Sequence, residues 1–148
     1  MRHPGSMYRD AANPGRDLLI TAFASQVFAV ERATGLLRWH LRIEDSTFAG
    51  VIDLHIGATV VLAVNMAHLV FIEYATGKLL RKVKQAGEYA AVRPIVLLDG
   101  EHIFVGRHGE AACYTLSGDP VWVQSFPGKG VGHMSLGFPG NVRQGDDR

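Results

Sequence analysis

Cysteine occurs once in these 148 residues, at Cys113, so no internal disulfide framework is possible. A lone thiol also suits a reducing compartment. Charge of one sign is equally scarce in excess: 15 basic against 14 acidic side chains leave a net +1. Nothing global therefore draws the chain to nucleic acid or to anionic lipid. The longest apolar runs, such as ATVVLAVNMA from Ala58, are far too short to cross a bilayer. Residues 1–17 lack the apolar stretch of a secretory signal, and 1–16 read as a flexible lead-in. The expected setting is cytoplasmic, or inside a larger assembly such as a virion.

What the sequence does have is 47% hydrophobic residues, enough for a core at the size of one ordinary domain, and an internal repeat. Thr34-Gly35, Thr76-Gly77 and Ser117-Gly118 follow one another at intervals of 42 and 41 residues, and four residues after each glycine come Trp39, Arg81 and Trp122. VFAVERATG and LVFIEYATG precede the first two turns, with Glu31 and Glu73 each four residues before the glycine. The third copy, ACYTLSG, is shorter at that point. AGVIDLHIG from Ala49 and AAVRPIVLL from Ala90 extend the register upstream at an offset of 41.

Every element of the repeat reads as β: short apolar, β-branched runs separated by Gly, Asn, Asp or Ser, without a helical period. The ATG turns suit hairpins in which glycine takes a positive φ and threonine bonds the local backbone. Four strands per period emerge. They are expected near 51–56, 59–65, 68–74 and 78–84 in the second unit, and near 92–97, 101–106, 110–116 and 120–126 in the third. A four-stranded antiparallel unit recurring every 40 or so residues marks a β-propeller blade. A sandwich of meanders is the rival all-β reading.

VFAVERATGLLRW resembles the blade repeat of quinoprotein-type (PQQ-like) propellers, in which an acidic residue, Thr-Gly and then Trp recur. The resemblance covers residues 17–138 and fades along the chain, with Arg81 in place of the second tryptophan. It implies three blades, at 17–48, 49–89 and 90–130, with Thr34, Gly35, Trp39, Thr76, Gly77, Gly118 and Trp122 as turn and packing positions. It does not carry over a quinone: the chain is short, has one cysteine and shows no acidic and amide cluster for calcium, so no cofactor is expected.

The two ends of the repeat look complementary. DLLITAF from Asp17 matches the second strand of a blade, and one more step of 41 from Val51 and Val92 lands on His133. Residues 131–138 are therefore expected to form an innermost strand with no second strand after it, followed by a polar tail over 139–148. Three blades are too few for a ring, and raw blade faces exceed the apolar surface a monomer tolerates. The expectation is closure by a second copy, with His133, Met134, Ser135, Leu136 and Phe138 pairing beside Leu18, Leu19 and Ile20 of its neighbour. Two copies give six blades and three give nine; a longer parent propeller or a different protein partner would also close it.

Catalytic signals are weak. Asp53 and His55 lie two apart on an expected innermost strand and share a face, with Arg93 at a related position, which suggests a polar channel site as the alternative reading. His102, His108, Glu101 and Glu110 flank one hairpin but lack zinc-ligand spacing, so no metal is expected. FPGKGVG from Phe126 lacks the phosphate-loop spacing and has no helix after it. Ser135 has no nucleophile-elbow context. The expected function is a non-enzymatic scaffold or protein-interaction module, acting with itself and an unidentified protein, without nucleic acid or membrane.

Overall fold

A computed structural model of the chain describes residues 8–45, 50–87 and 92–145. The first seven residues of the lead-in, the blade boundaries expected at 48/49 and 89/90, and the last three tail residues lie outside the described residues. Among the described residues there are strands and no helix. The first sheet has the order β1 (Leu18–Phe23), β2 (Gln26–Glu31), β3 (Leu37–Arg42). The second runs β4 (Asp53–Ile56), β5 (Val60–Val64), β6 (His68–Glu73), β7 (Leu79–Lys84), and the third β8 (Ile95–Asp99), β9 (His102–Arg107), β10 (Glu110–Thr115), β11 (Pro120–Gln124). A hairpin of β12 (Leu136–Phe138) and β13 (Asn141–Arg143) completes the set. Each strand pairs with its sequence neighbour, so every sheet is a meander.

Contacts divide the chain into two compact units, Met1–Ala63 with Val70–Lys82, and Val64–Leu69 with Val83–Arg148. In the first unit the alternation of QVFAVE decides which face is buried: Val27, Ala29 and Glu31 point inward while Phe28 and Val30 stay half-buried. Ile20, Val27, Ala29 and Trp39 of the first sheet, with Ile43 just past β3, pack against Val61, Ala63, Val70 and Ile72 of the second. β5 and β6 read as near-continuous apolar runs because they are buried on both faces.

The strand-to-strand turns keep the period. Ala24 and Ser25 join β1 to β2 with φ of 51° and 60°, and His108 and Gly109 join β9 to β10 with φ of 49° and 93°. Two central residues at positive φ give the turn whose twist matches paired strands. Ser25 O accepts the Ile43 N–H at 2.8 Å, and Ala67 O, 42 residues on, accepts that of Gln85 at 2.8 Å.

In the second unit Arg107 is buried at the end of β9 and donates from Nη1 to Met66 O (2.9 Å) and from Nη2 to Ala86 O (3.0 Å). Tyr114 Oη accepts the Ala86 N–H at 2.6 Å, and Gln85 Nε2 donates to Asn65 O at 2.7 Å. Burial pushes the Arg107 guanidinium below its ordinary value, while Tyr114 and Glu110 hold it up. The β12–β13 hairpin lies on one face of the third sheet. Phe138 meets Phe104 edge-on at 5.0 Å, and Leu136 and Met134 come against Gly106. Asn141 Nδ2 fixes the hairpin by donating to Leu98 O (2.8 Å) and Asp99 Oδ2 (2.9 Å).

Three sequence expectations change here. The innermost strands are shorter than expected, β4 starting at Asp53 and β8 at Ile95. Pro94 has no N–H to give a ladder, so β8 begins only after it. The strand expected over 131–138 is confined to Leu136–Phe138, with His133, Met134 and Ser135 ahead of it outside any sheet. A second strand does follow: the chain reverses at Pro139 and Gly140 (φ 80°), and Val142 pairs with Gly137. The tail expected to be merely polar thus contributes β13.

Candidate functional site

The repeated turns share one construction. Glu31 Oε1 accepts from Thr34 Oγ1 at 2.8 Å, Gly35 N–H donates to Glu31 O at 2.8 Å, and Glu31 N–H donates to Leu36 O at 2.8 Å. Glu73 repeats it, with Thr76 Oγ1 at 2.5 Å, Gly77 N–H at 2.9 Å and Lys78 O at 2.8 Å. In the third copy Thr115 takes the place of the glutamate, its hydroxyl 3.1 Å from Ser117 Oγ, and Gly118 N–H donates to Thr115 O at 2.9 Å. That loop is one residue tighter. All three glycines have φ between 76° and 95°, where a side chain would be strained.

Trp39 shows what the turn glycine is for. A Cβ at Gly77 would stand 2.5 Å from Trp39 Cδ2, so the indole lies flat on the glycine. Its Nε1 donates to Tyr74 O, three residues before that glycine, at 2.9 Å. Tyr74 Oη in turn donates to Leu18 O at 2.9 Å and accepts the Leu18 N–H at 2.8 Å. Ring, turn and first strand form one connected cluster within the first unit. Arg38 Nε stands 3.7 Å from the buried Glu31 carboxylate, which ties β3 to the same turn.

The same two components recur uncovered. Among the described residues, nothing beyond its own chain neighbours lies within 4 Å of where a Cβ at Gly35 would be. Trp122 is 45% exposed, against 9% for Trp39, with its ring 6.2 Å from that of Phe104 in the same sheet. The outward face of the first sheet carries Leu19, Thr21, Phe28 and Val30, paired Leu19 with Val30 and Thr21 with Phe28. Phe23, Phe28 and His40 stack along it, at 4.9 Å and 5.8 Å. Leu19 and Phe23 are 62% and 60% exposed.

The alternative channel residues are less organised. Asp53 and His55 do share a face of β4 and are half-buried, whereas Arg93 is exposed and precedes β8. Open clefts of about 660 and 340 Å³ lie in the first unit, lined by Gly15, Leu18 and Tyr74 among others, and neither reaches Asp53 or His55. Among the described residues no three His, Cys, Asp or Glu side chains converge on a metal position. His102 lies beside Phe104 and His108 occupies a turn, while Glu110 is turned inward toward Arg107. Burial raises the Cys113 thiol above its ordinary value. Tyr74 and Arg107 were not singled out by sequence; the tyrosine's place three residues before the Thr-Gly glycine was the available signal for the first.

No protein-family model matches the sequence, and no curated protein matches it. Among solved structures the chain is similar to a europium-containing methanol dehydrogenase, at 16% identity and a TM-score of 0.55, over 72% of this chain and 22% of that one. It is also similar to BamB from Moraxella catarrhalis, at 19% identity and a TM-score of 0.51, over 72% of this chain and 32% of that one. The chain thus spans roughly a fifth to a third of the length of these structures, and the likeness bears on fold alone. Meander sheets, the first resting its tryptophan on the Thr-Gly turn of the second, together with these neighbours, give the chain a β-propeller fold.

Proposed function

We propose that the chain is a non-catalytic propeller module that assembles with copies of itself into a scaffold for protein partners. The observation that carries this reading is the outward face of the first sheet, where Leu19 and Phe23 stand mostly in solvent beside stacked aromatics. Contiguous apolar surface of this kind marks an interaction site on a soluble protein. Two copies would supply six blades and three would supply nine, and a head-to-tail contact closes by rotation. The lone, buried Cys113 suits a reducing, cytoplasmic setting.

Native mass of the purified protein tests the reading. An oligomer that persists on dilution supports it, and a monomer at every concentration removes it. The rival channel-site reading predicts that Asp53→Ala with His55→Ala abolishes small-molecule binding; thermal stability and ligand screens unchanged by the pair would leave the scaffold reading standing.

A further inference from the structure

The first sheet and its neighbour show, residue by residue, how one blade accepts another. Val61, Ala63, Val70 and Ile72, each fully buried, receive the ladder of Ile20, Ala29 and Trp39. Subtracting 42 from those four positions gives Leu19, Thr21, Phe28 and Val30, the outward face of the first sheet. The same backbone surface is therefore presented twice, once covered and once open.

The incoming ladder is also presented twice. Ile20, Ala29 and Trp39 lie opposite one another across β1, β2 and β3. Phe104, Cys113 and Trp122 lie opposite one another across β9, β10 and β11, and in both sheets the register slips just after the middle residue of the ladder. The β12–β13 hairpin covers the Phe104 end and leaves Trp122 open. Among the described residues no ring stands on Gly35, and the Trp122 ring is largely exposed.

We infer that Trp122 of one chain docks on the Gly35 turn of a second copy of this chain, its Nε1 donating to the carbonyl of Arg32 there, as Trp39 does to Gly77 and Tyr74. This rests on the self-assembly reading above and supplies its join. The occupant is a second copy because the two open surfaces repeat the two halves of a contact the chain already makes within itself. The contact is head-to-tail: each copy gives a tryptophan at one surface and takes one at the other. Leu19, Phe28 and Val30 offer the accepting face for the open Trp122 end of that ladder, and the aromatic ring becomes the anchor of the interface.

Sedimentation velocity on the full chain tests this with two single variants. Trp122→Ala removes the ring while altering an exposed side chain. Gly35→Asn places a Cβ where the indole must lie, with a residue that tolerates positive φ. Each variant alone is expected to sediment as a monomer, and their equimolar mixture to form a one-to-one heterodimer. The mixture pairs because the Gly35→Asn chain keeps its tryptophan and the Trp122→Ala chain keeps its glycine. Should Gly35→Asn disturb its own hairpin by circular dichroism, Leu19→Lys tests the same accepting face from an exposed position. An oligomeric wild type with either variant retaining the wild-type mass overturns the join and leaves self-assembly standing. Variants that stay monomeric when mixed also overturn it. A monomeric wild type overturns both.

Discussion

Two tryptophans at equivalent places in the repeat have opposite surroundings, and that difference sets their energetic weight. Trp39 is buried on Gly77 and bonded to Tyr74 O, so Trp39→Ala removes a filled interior ring. The expected loss is about 3–5 kcal/mol of unfolding free energy, measured by urea denaturation. Trp122→Ala, at an exposed site, is expected to cost the isolated chain less than about 1 kcal/mol in the same measurement. Equal losses would mean that the two rings are packed alike. Sequence spacing identified both tryptophans and their glycines; it did not show which pair was satisfied, because burial depends on a neighbouring face that a periodic pattern cannot supply. Arg107 was illegible for a related reason. A charged residue ending an apolar strand reads as a solvated end, and only the fold brings the carbonyls of Met66 and Ala86 to it.

At the scale of the element, the first hairpin carries local strain that can be relieved. Ala24 holds φ of 51° in a turn whose twist requires positive φ, a region costly for a residue with a Cβ and better tolerated by asparagine. Ala24→Asn is therefore expected to raise stability by about 0.5–1 kcal/mol, read as a higher melting temperature. An unchanged or lower melting temperature would count against strain at this turn. The terminal hairpin allows a second test. Strand exchange, in which β12 leaves β13 to pair beside Leu18, Leu19 and Ile20 of another copy, predicts that ending the chain after Gly130 abolishes assembly. A soluble truncation with the full oligomeric mass would rule that version out. Strand number and order were legible from turn residues and apolar runs, but β13 was not. Three residues in a polar, Gly-flanked tail carry too little alternation to register as a strand.

For the molecule as a whole, the period fixed the architecture more firmly than any single motif did. The turn survives in three copies with two chemistries, glutamate with threonine twice and threonine with serine once. Each copy closes the same loop around a glycine, which is why the pattern remained recognisable as it degraded. The candidate site was legible only in part: Asp53 and His55 share a strand face as expected, while Arg93 falls before its strand because Pro94 delays it. An interaction surface has no fixed residue spacing, and so it emerged only once exposure could be compared between repeats.

Cys113 lies in the middle strand of the Phe104–Trp122 ladder, buried, with its thiol held above the ordinary range by that burial. A raised value keeps the sulfur protonated in the native fold, so the stability it contributes is present below the unfolded thiol's titration and fades as pH rises through the native one. At pH 8 its reaction with iodoacetamide is expected to be slower than that of a free thiol, and to accelerate once β11 peels away. Rapid labelling of the native protein would contradict the buried placement. Being the chain's sole sulfhydryl, it is a built-in gauge: its labelling rate follows the opening of this edge without any engineered probe.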